Sequence, residues 1–192
     1  MQQKEIENCA TAAVRALGLS HGPVHAEFRI NEEGVWPLEV APRPIGGLCA
    51  RALRFAPVGK PKSDQQGEHG SIGLEELLLR HALNLPGNDW PREHKASGVM
   101  MIPVPASGTL EKVEGEEVAR AILGITDLFI TARLHDYIAA WPEGSSYLGF
   151  LFARGESAEE VERALRRAHG ELRFVIRERL AVEHPVTGRV VG

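Results

Sequence analysis

The chain has 192 residues, enough for one or two compact domains, and its 43% hydrophobic and 25% charged content is ordinary for a soluble globular fold. A net charge of −4 with a pI of about 6.1 argues against a nucleic-acid footprint. No apolar run reaches the ~20 residues of a membrane span. The segment Met1–Glu5 lacks the apolar core of a signal peptide, and Cys9 and Cys49 make neither a disulfide framework nor a zinc site, so a reducing, cytoplasmic setting is expected.

Residues 2–18 read as an amphipathic helix. Ile6, Cys9, Ala10, Ala13 and Leu17 recur at helical spacing, and Gly18 ends the run. A helix opening at residue 2 without a capping side chain suggests a truncated parent or an unusual start.

Residues 23–41 read as a β-hairpin. With Glu32-Glu33-Gly34 as a three-residue loop, Asn31 faces Val35 and Glu27 faces Glu39. Strand alternation then puts Val24, Ala26, Phe28, Ile30, Trp36, Leu38 and Val40 on one apolar face. His25, Glu27, Arg29, Val35, Pro37, Glu39 and Ala41 take the other. A four-residue loop would place Glu39 beside Ala26 and Ile30, and burying a carboxylate there costs several kcal/mol unless it is paired.

Residues 42–73, rich in Pro and Gly, read as a long loop with a short helix near Leu48–Phe55, and 63–70 read as mobile. A leucine-rich helix follows at 74–84. The second half begins near residue 95. It shows strands at 98–104, 109–113, 126–134, 147–153 and 171–177, helices at 115–123 and 157–169, and a tail from 182. Ser157 with Glu160 forms a capping box for the last helix. This order predicts an α+β fold with antiparallel or mixed sheets, divided into 1–94 and 95–192.

The chemistry gathers on the hairpin. Two carboxylates directly across a strand pair repel, so a cation between Glu27 and Glu39 is expected. Magnesium suits the position, because it takes hard oxygen ligands and keeps waters and substrate phosphates for the rest. Arg43, stiffened by Pro42 and Pro44, presents a fork for a phosphate or carboxylate. Gly46 and Gly47 allow close approach of a ligand. His25 shares the polar face and stands as a substrate-orienting candidate. A plain surface reading remains beside this one, with Glu27 paired to Arg29 or His25 and Arg43 closing a salt bridge. His21, His69, His81, His94, His135, His169 and His184 show no metal-ligand spacing, and the Arg163–Arg167 cluster reads as a solvated helix face.

The run Gly22-Pro23-Val24-His25-Ala26-Glu27-Phe28-Arg29, followed by Pro37-Leu38-Glu39-Val40-Ala41-Pro42-Arg43-Pro44-Ile45-Gly46-Gly47, resembles the ATP-grasp superfamily. The resemblance makes Glu27 and Glu39 ligands of two magnesium ions and gives Arg43 the transferred phosphoryl group or an acyl phosphate. Ala41 stands where the superfamily pattern commonly has Asn. The segments Ala96–Pro103 and Tyr147–Gly155 look like the C-terminal module of L-amino-acid-ligase-type enzymes, which join a carboxylate to an amine using ATP.

What the resemblance implies is therefore the C-terminal fragment of an ADP-forming ligase. Its partners would be ATP or ADP, small carboxylate and amine substrates, and a missing N-terminal ATP-grasp portion. The family's phosphate-holding lysines and Gly-rich loop have no counterpart before residue 18, so the isolated chain is expected to be inactive. The alternative is a non-catalytic binding or assembly module that docks onto a separate ATP-binding half or forms a homodimer. A magnesium-dependent hydrolase would need a general base, for which His25 is the candidate.

Overall fold

The computed structural model describes residues 2–56, 71–85, 90–144 and 146–178, together with the backbone of 182–183 and 190–191. The stretch 63–70, with His69, and the side chains of the tail from 182, with His184, lie outside the described residues. The fold is α+β with antiparallel sheets, and it divides into two compact units, residues 1–93 and 94–192.

The first unit opens with α1, Gln2–Ala16. Its end has a clear cause. Gly18 takes φ +71, the Gly18 amide donates to the Arg15 carbonyl, and the Leu19 amide donates to the Val14 carbonyl. These two bonds satisfy carbonyls the helix leaves without partners, and the left-handed position favours glycine.

The hairpin pairs β1 (His25–Asn31) with β2 (Gly34–Ala41). Its turn differs from the three-residue loop expected above. Asn31 pairs with Gly34, so Glu32-Glu33 is a two-residue turn and Ile30, not Asn31, faces Val35. The reason is the Asn31 side chain. Its Oδ1 accepts from the Glu33 amide at 3.0 Å and from the Trp36 indole Nε1 at 3.1 Å. A side-chain acceptor two residues back from an amide closes a tight turn.

Further along, the register shifts by one between Phe28 and Glu27. Phe28 faces Pro37 and Glu27 faces Glu39, which leaves Leu38 as the extra residue of a bulge. Proline has no amide to give the ladder and is tolerated at such an irregularity. The face assignments change accordingly. Trp36 shares the face of Arg29, and Val35 and Pro37 join Phe28 and Ile30. The expectation that Trp36 and Leu38 lie on a core face is corrected, since they are 50% and 62% exposed. The α1 helix packs against β2, where the Cys9 thiol reaches the Val35 carbonyl at 3.5 Å.

After the hairpin come a 3-10 helix at Cys49–Ala52, shorter than expected, and α2 at Leu74–Ala82. Phe55 bridges both Ile72 and Arg92 and ties these segments together. Arg80 bonds Glu76 one turn back and lies over the Trp90 ring at 5.4 Å.

Among the described residues the second unit holds two three-stranded antiparallel sheets, besides the two-stranded pair in the tail. One has the order β3 (Ala96–Ile102), β7 (Gly149–Gly155), β5 (Ile125–Ile130). The other has the order β6 (Tyr137–Ile138), β4 (Gly108–Glu114), β8 (Arg173–Arg177). Ile102, Leu110, Leu128 and Leu151 of these strands, with Leu148 just before β7, are the largest fully buried side chains of the core. Helix α3 spans Glu116–Arg120, and α4, Ala158–Glu171, lies on β3 and β7. The approach of α4 is close because Gly98 has no side chain: a Cβ there would sit 2.8 Å from Val161 Cγ1.

The capping residues of α4 act as the sequence indicates. Ser157 Oγ accepts from the Glu160 amide at 3.3 Å, and Glu160 reaches back to the Glu156 amide at 2.9 Å. The short strand β6 falls where the sequence reading had none. The tail contains a paired β9 (Val182–Glu183) and β10 (Val190–Val191).

Candidate functional site

The hairpin presents two unlike faces. Ala26, Phe28, Ile30, Val35, Pro37 and Val40 share the one that α1 approaches. His25, Glu27, Arg29, Trp36, Glu39 and Ala41 share the other. Between α1 and the first strand a cleft of about 480 Å³ opens, with Ala10, Val14, Leu19, Val24 and Ala26 on its walls and Thr11, Arg15 and Ser20 beside them. It lies on the face opposite the carboxylates.

Glu27 and Glu39 stand directly opposite each other, and both are exposed. Among the described residues Glu27 carries no ion pair, with Arg29 or any other side chain. Glu39 has one partner. Arg43 Nη2 lies 3.8 Å from Glu39 Oε1, with both side chains about half exposed. That distance and exposure make a loose pair, typically worth 0–1 kcal/mol at most.

A tight turn brings Arg43 there. The Arg43 amide donates to the Ala41 carbonyl at 2.8 Å, folding the chain back at the end of β2. Arg43 Nη1 donates to the Pro44 carbonyl at 3.2 Å, which orients the guanidinium. Gly46 and Gly47 follow in the exposed stretch after Pro44. Gly47 takes φ +61, and a Cβ on Gly46 would meet open space. Cys49 begins the 3-10 helix as a half-buried free thiol.

His25 lies on the carboxylate face, opposite Ala41. Its Nδ1 is buried and, among the described residues, has no hydrogen-bond partner. An orphaned buried polar atom is uncommon in a folded protein. His21, which sequence spacing left without a role, stacks on His81 with ring centroids 4.2 Å apart.

The donor set can be tested against a divalent cation. Among the described residues no group of three or more His, Cys, Asp or Glu side chains is placed to hold a metal. Two carboxylates are what the hairpin offers. That is too few for zinc, which takes four protein ligands in structural sites and three in catalytic ones. It fits magnesium, which is commonly bound by one or two carboxylates and completed by waters and phosphate oxygens.

Residues 1–52 match the ATP-grasp domain family, and residues 100–177 match the family described as L-amino acid ligase C-terminal domain 2. An uncharacterized protein, y4rH, of Sinorhizobium fredii (strain NBRC 101917 / NGR234) is 27% identical over 155 residues, 81% of this chain and 30% of its own length. The crystal structure of L-amino acid ligase from Bacillus licheniformis superposes with a TM-score of 0.72 at 28% identity, over 92% of this chain and 41% of that one. The phosphoribosylglycinamide synthetase of Anaerococcus prevotii shares the fold at 14% identity, with a TM-score of 0.68 over 92% of this chain and 43% of its own. The chain thus spans less than half the length of the relatives it matches.

Proposed function

We propose that this chain, similar to ATP-grasp ligases in its first unit and to L-amino acid ligases in its second, supplies the magnesium- and phosphate-binding part of an ATP-dependent, ADP-forming carboxylate–amine ligase. The observation that carries the reading is the placement of Glu27 opposite Glu39, with Arg43 turned back toward Glu39.

Glu27 and Glu39 would hold magnesium, two ions in this reading, and the metal would supply charge neutralisation of the terminal phosphates of ATP. Arg43, whose contact with Glu39 is loose, is free to take a phosphoryl or acyl phosphate oxygen with its fork. His25, on the face of the two carboxylates, and the exposed backbone at Gly46 and Gly47 would receive the substrate. All of these groups act by position and electrostatics. In the reaction, a carboxylate oxygen attacks the γ-phosphorus and ADP leaves. An amine nitrogen then attacks the acyl carbon of the resulting acyl phosphate, loses a proton, and phosphate departs.

The chain spans 41% of the Bacillus licheniformis ligase, so the complete activity is assigned to an assembly that also contains an ATP-binding portion. The 192 residues alone are expected to turn over little or no ATP. The test is a titration of the chain with Mg²⁺ and ADP, followed by NMR at the hairpin amides, beside a Glu39→Gln variant. Saturable shifts in the native chain that vanish in the variant support the reading. Identical weak responses in both remove it.

A second reading has its own observation. Among the described residues of the first unit only Ala50 and Ile72 are buried hydrophobics, and α1 and α2 bury no residue. So sparse a core favours a module that docks onto a separate ATP-binding half. ATP turnover on adding such a half supports the ligase. Complex formation without turnover supports the module.

A further inference from the structure

Outside the hairpin, the second unit contains a cavity of about 500 Å³ between the exposed flank of α4, the end of β7 and the turn after α3. Its walls include Lys95, Leu123, Glu156, Glu160, Arg163 and Arg167. The size falls within the usual range for small-molecule sites.

The charges in it are not evenly spent. Lys95 Nζ pairs with Glu156 at 3.0 Å. Glu160 is occupied by the Glu156 amide at 2.9 Å. Both carboxylates are therefore engaged within the wall. The arginines of α4 divide the same way. Arg166 is neutralised by Glu162, at 2.8 Å, away from the cavity. Arg163 and Arg167 line the cavity; Arg163 feels the charge of Glu159 one turn back, and among the described residues neither arginine makes a close ion pair or hydrogen bond. They are four apart on one helix, so their guanidinium groups are neighbours of like charge, an arrangement that disfavours the helix. The amides at the start of α4 are not the attraction for a ligand, because Ser157 Oγ already takes that of Glu160. Leu123, 94% exposed, adds an apolar rim.

We infer that this cavity is a binding site for a small phosphate monoester, with the phosphate held between Arg163 and Arg167 and an apolar body against Leu123. Adjacent guanidinium groups match the oxygens of a phosphate bidentately, and a shared dianion turns their mutual repulsion into attraction. The inference does not rest on the ligase reading, since none of its residues belongs to the hairpin.

Phenyl phosphate is the probe, titrated into the full chain at low salt without Mg²⁺ and followed by NMR. The expected result is saturable shifts at Leu123, Arg163 and Arg167. In a double Arg163→Gln, Arg167→Gln variant the affinity should drop by about tenfold or more, the loss of a charge-assisted pair. The Arg166→Gln variant should bind as the native chain does, which separates the site from general surface charge. All three arginines are exposed, and circular dichroism checks that each variant is folded. No saturable shift, a response that survives the double variant, or an equal loss in Arg166→Gln overturns the inference.

Discussion

Glu27 faces Glu39 because two irregularities of the hairpin cancel. The two-residue turn at Glu32-Glu33 moves the register by one, and the bulge at Leu38 moves it back. Two like charges are thereby held opposite each other without a cation at Glu27 among the described residues.

Such a pair costs stability until a counter-charge arrives. Glu27→Gln is expected to stabilise the chain in EDTA by about 0.2–1 kcal/mol, the range for a cross-strand pair. In Mg²⁺ the order should reverse, because only the native chain gains by binding. Urea denaturation with and without Mg²⁺ reads both. A variant that gains from Mg²⁺ as the native chain does would count against the metal role.

Asn31 holds the turn by accepting from the Glu33 amide and the Trp36 indole. Asn31→Ala should cost about 1 kcal/mol and shift the indole Nε1 proton resonance of Trp36. If the resonance stays in place, the side chain is not what sets the two-residue turn.

Gly98 lets α4 rest on β3. In Gly98→Ala the new Cβ meets Val161 at 2.8 Å and Leu165 at 3.2 Å, and overpacking of this kind costs about 1–3 kcal/mol. Gly115→Ala should cost more. Its φ is +84, and the new Cβ would run into the backbone carbonyl of Glu171, which yields less readily than a side chain. Thermal unfolding of the two variants checks the ranking.

Two carboxylates of the second unit titrate below their ordinary range. Glu159 is held down by its own backbone amide and then by Ser157. Glu114 is held down by the hydrogen bond and charge of Lys112. Because the folded form protonates at lower pH than the unfolded one, their contribution is complete above the unfolded value and fades as pH falls through the folded one. The melting temperature should therefore be steady above about pH 5 and decline below it. Lys112→Met, which frees Glu114, should flatten part of that decline.

Some of this was legible in the sequence because it is local. Ser157 and Glu160 announce the start of α4, and Gly18 the end of α1. The opposition of Glu27 and Glu39 follows from alternation, although by way of a turn the structure does not have. The turn depends on one asparagine oxygen accepting twice, and the bulge on a proline that cannot donate. Neither leaves a mark in periodicity, and alternation alone puts Trp36 and Leu38 on the wrong face. Strand β6, two residues long, is too short to show a pattern. Arg163 and Arg167 look like solvent-facing charges until the chain brings Lys95 and Leu123 beside them.

The pairing of β1 with β2 alone, among the described residues, leaves the outer margin of each strand with amides and carbonyls that no neighbouring strand takes up. A ribbon of that kind is a template for whatever extended chain it meets first. At high concentration in a test tube the extended chain within reach is that of another copy. Self-association that grows with concentration and resists salt is the expected mark of such backbone pairing.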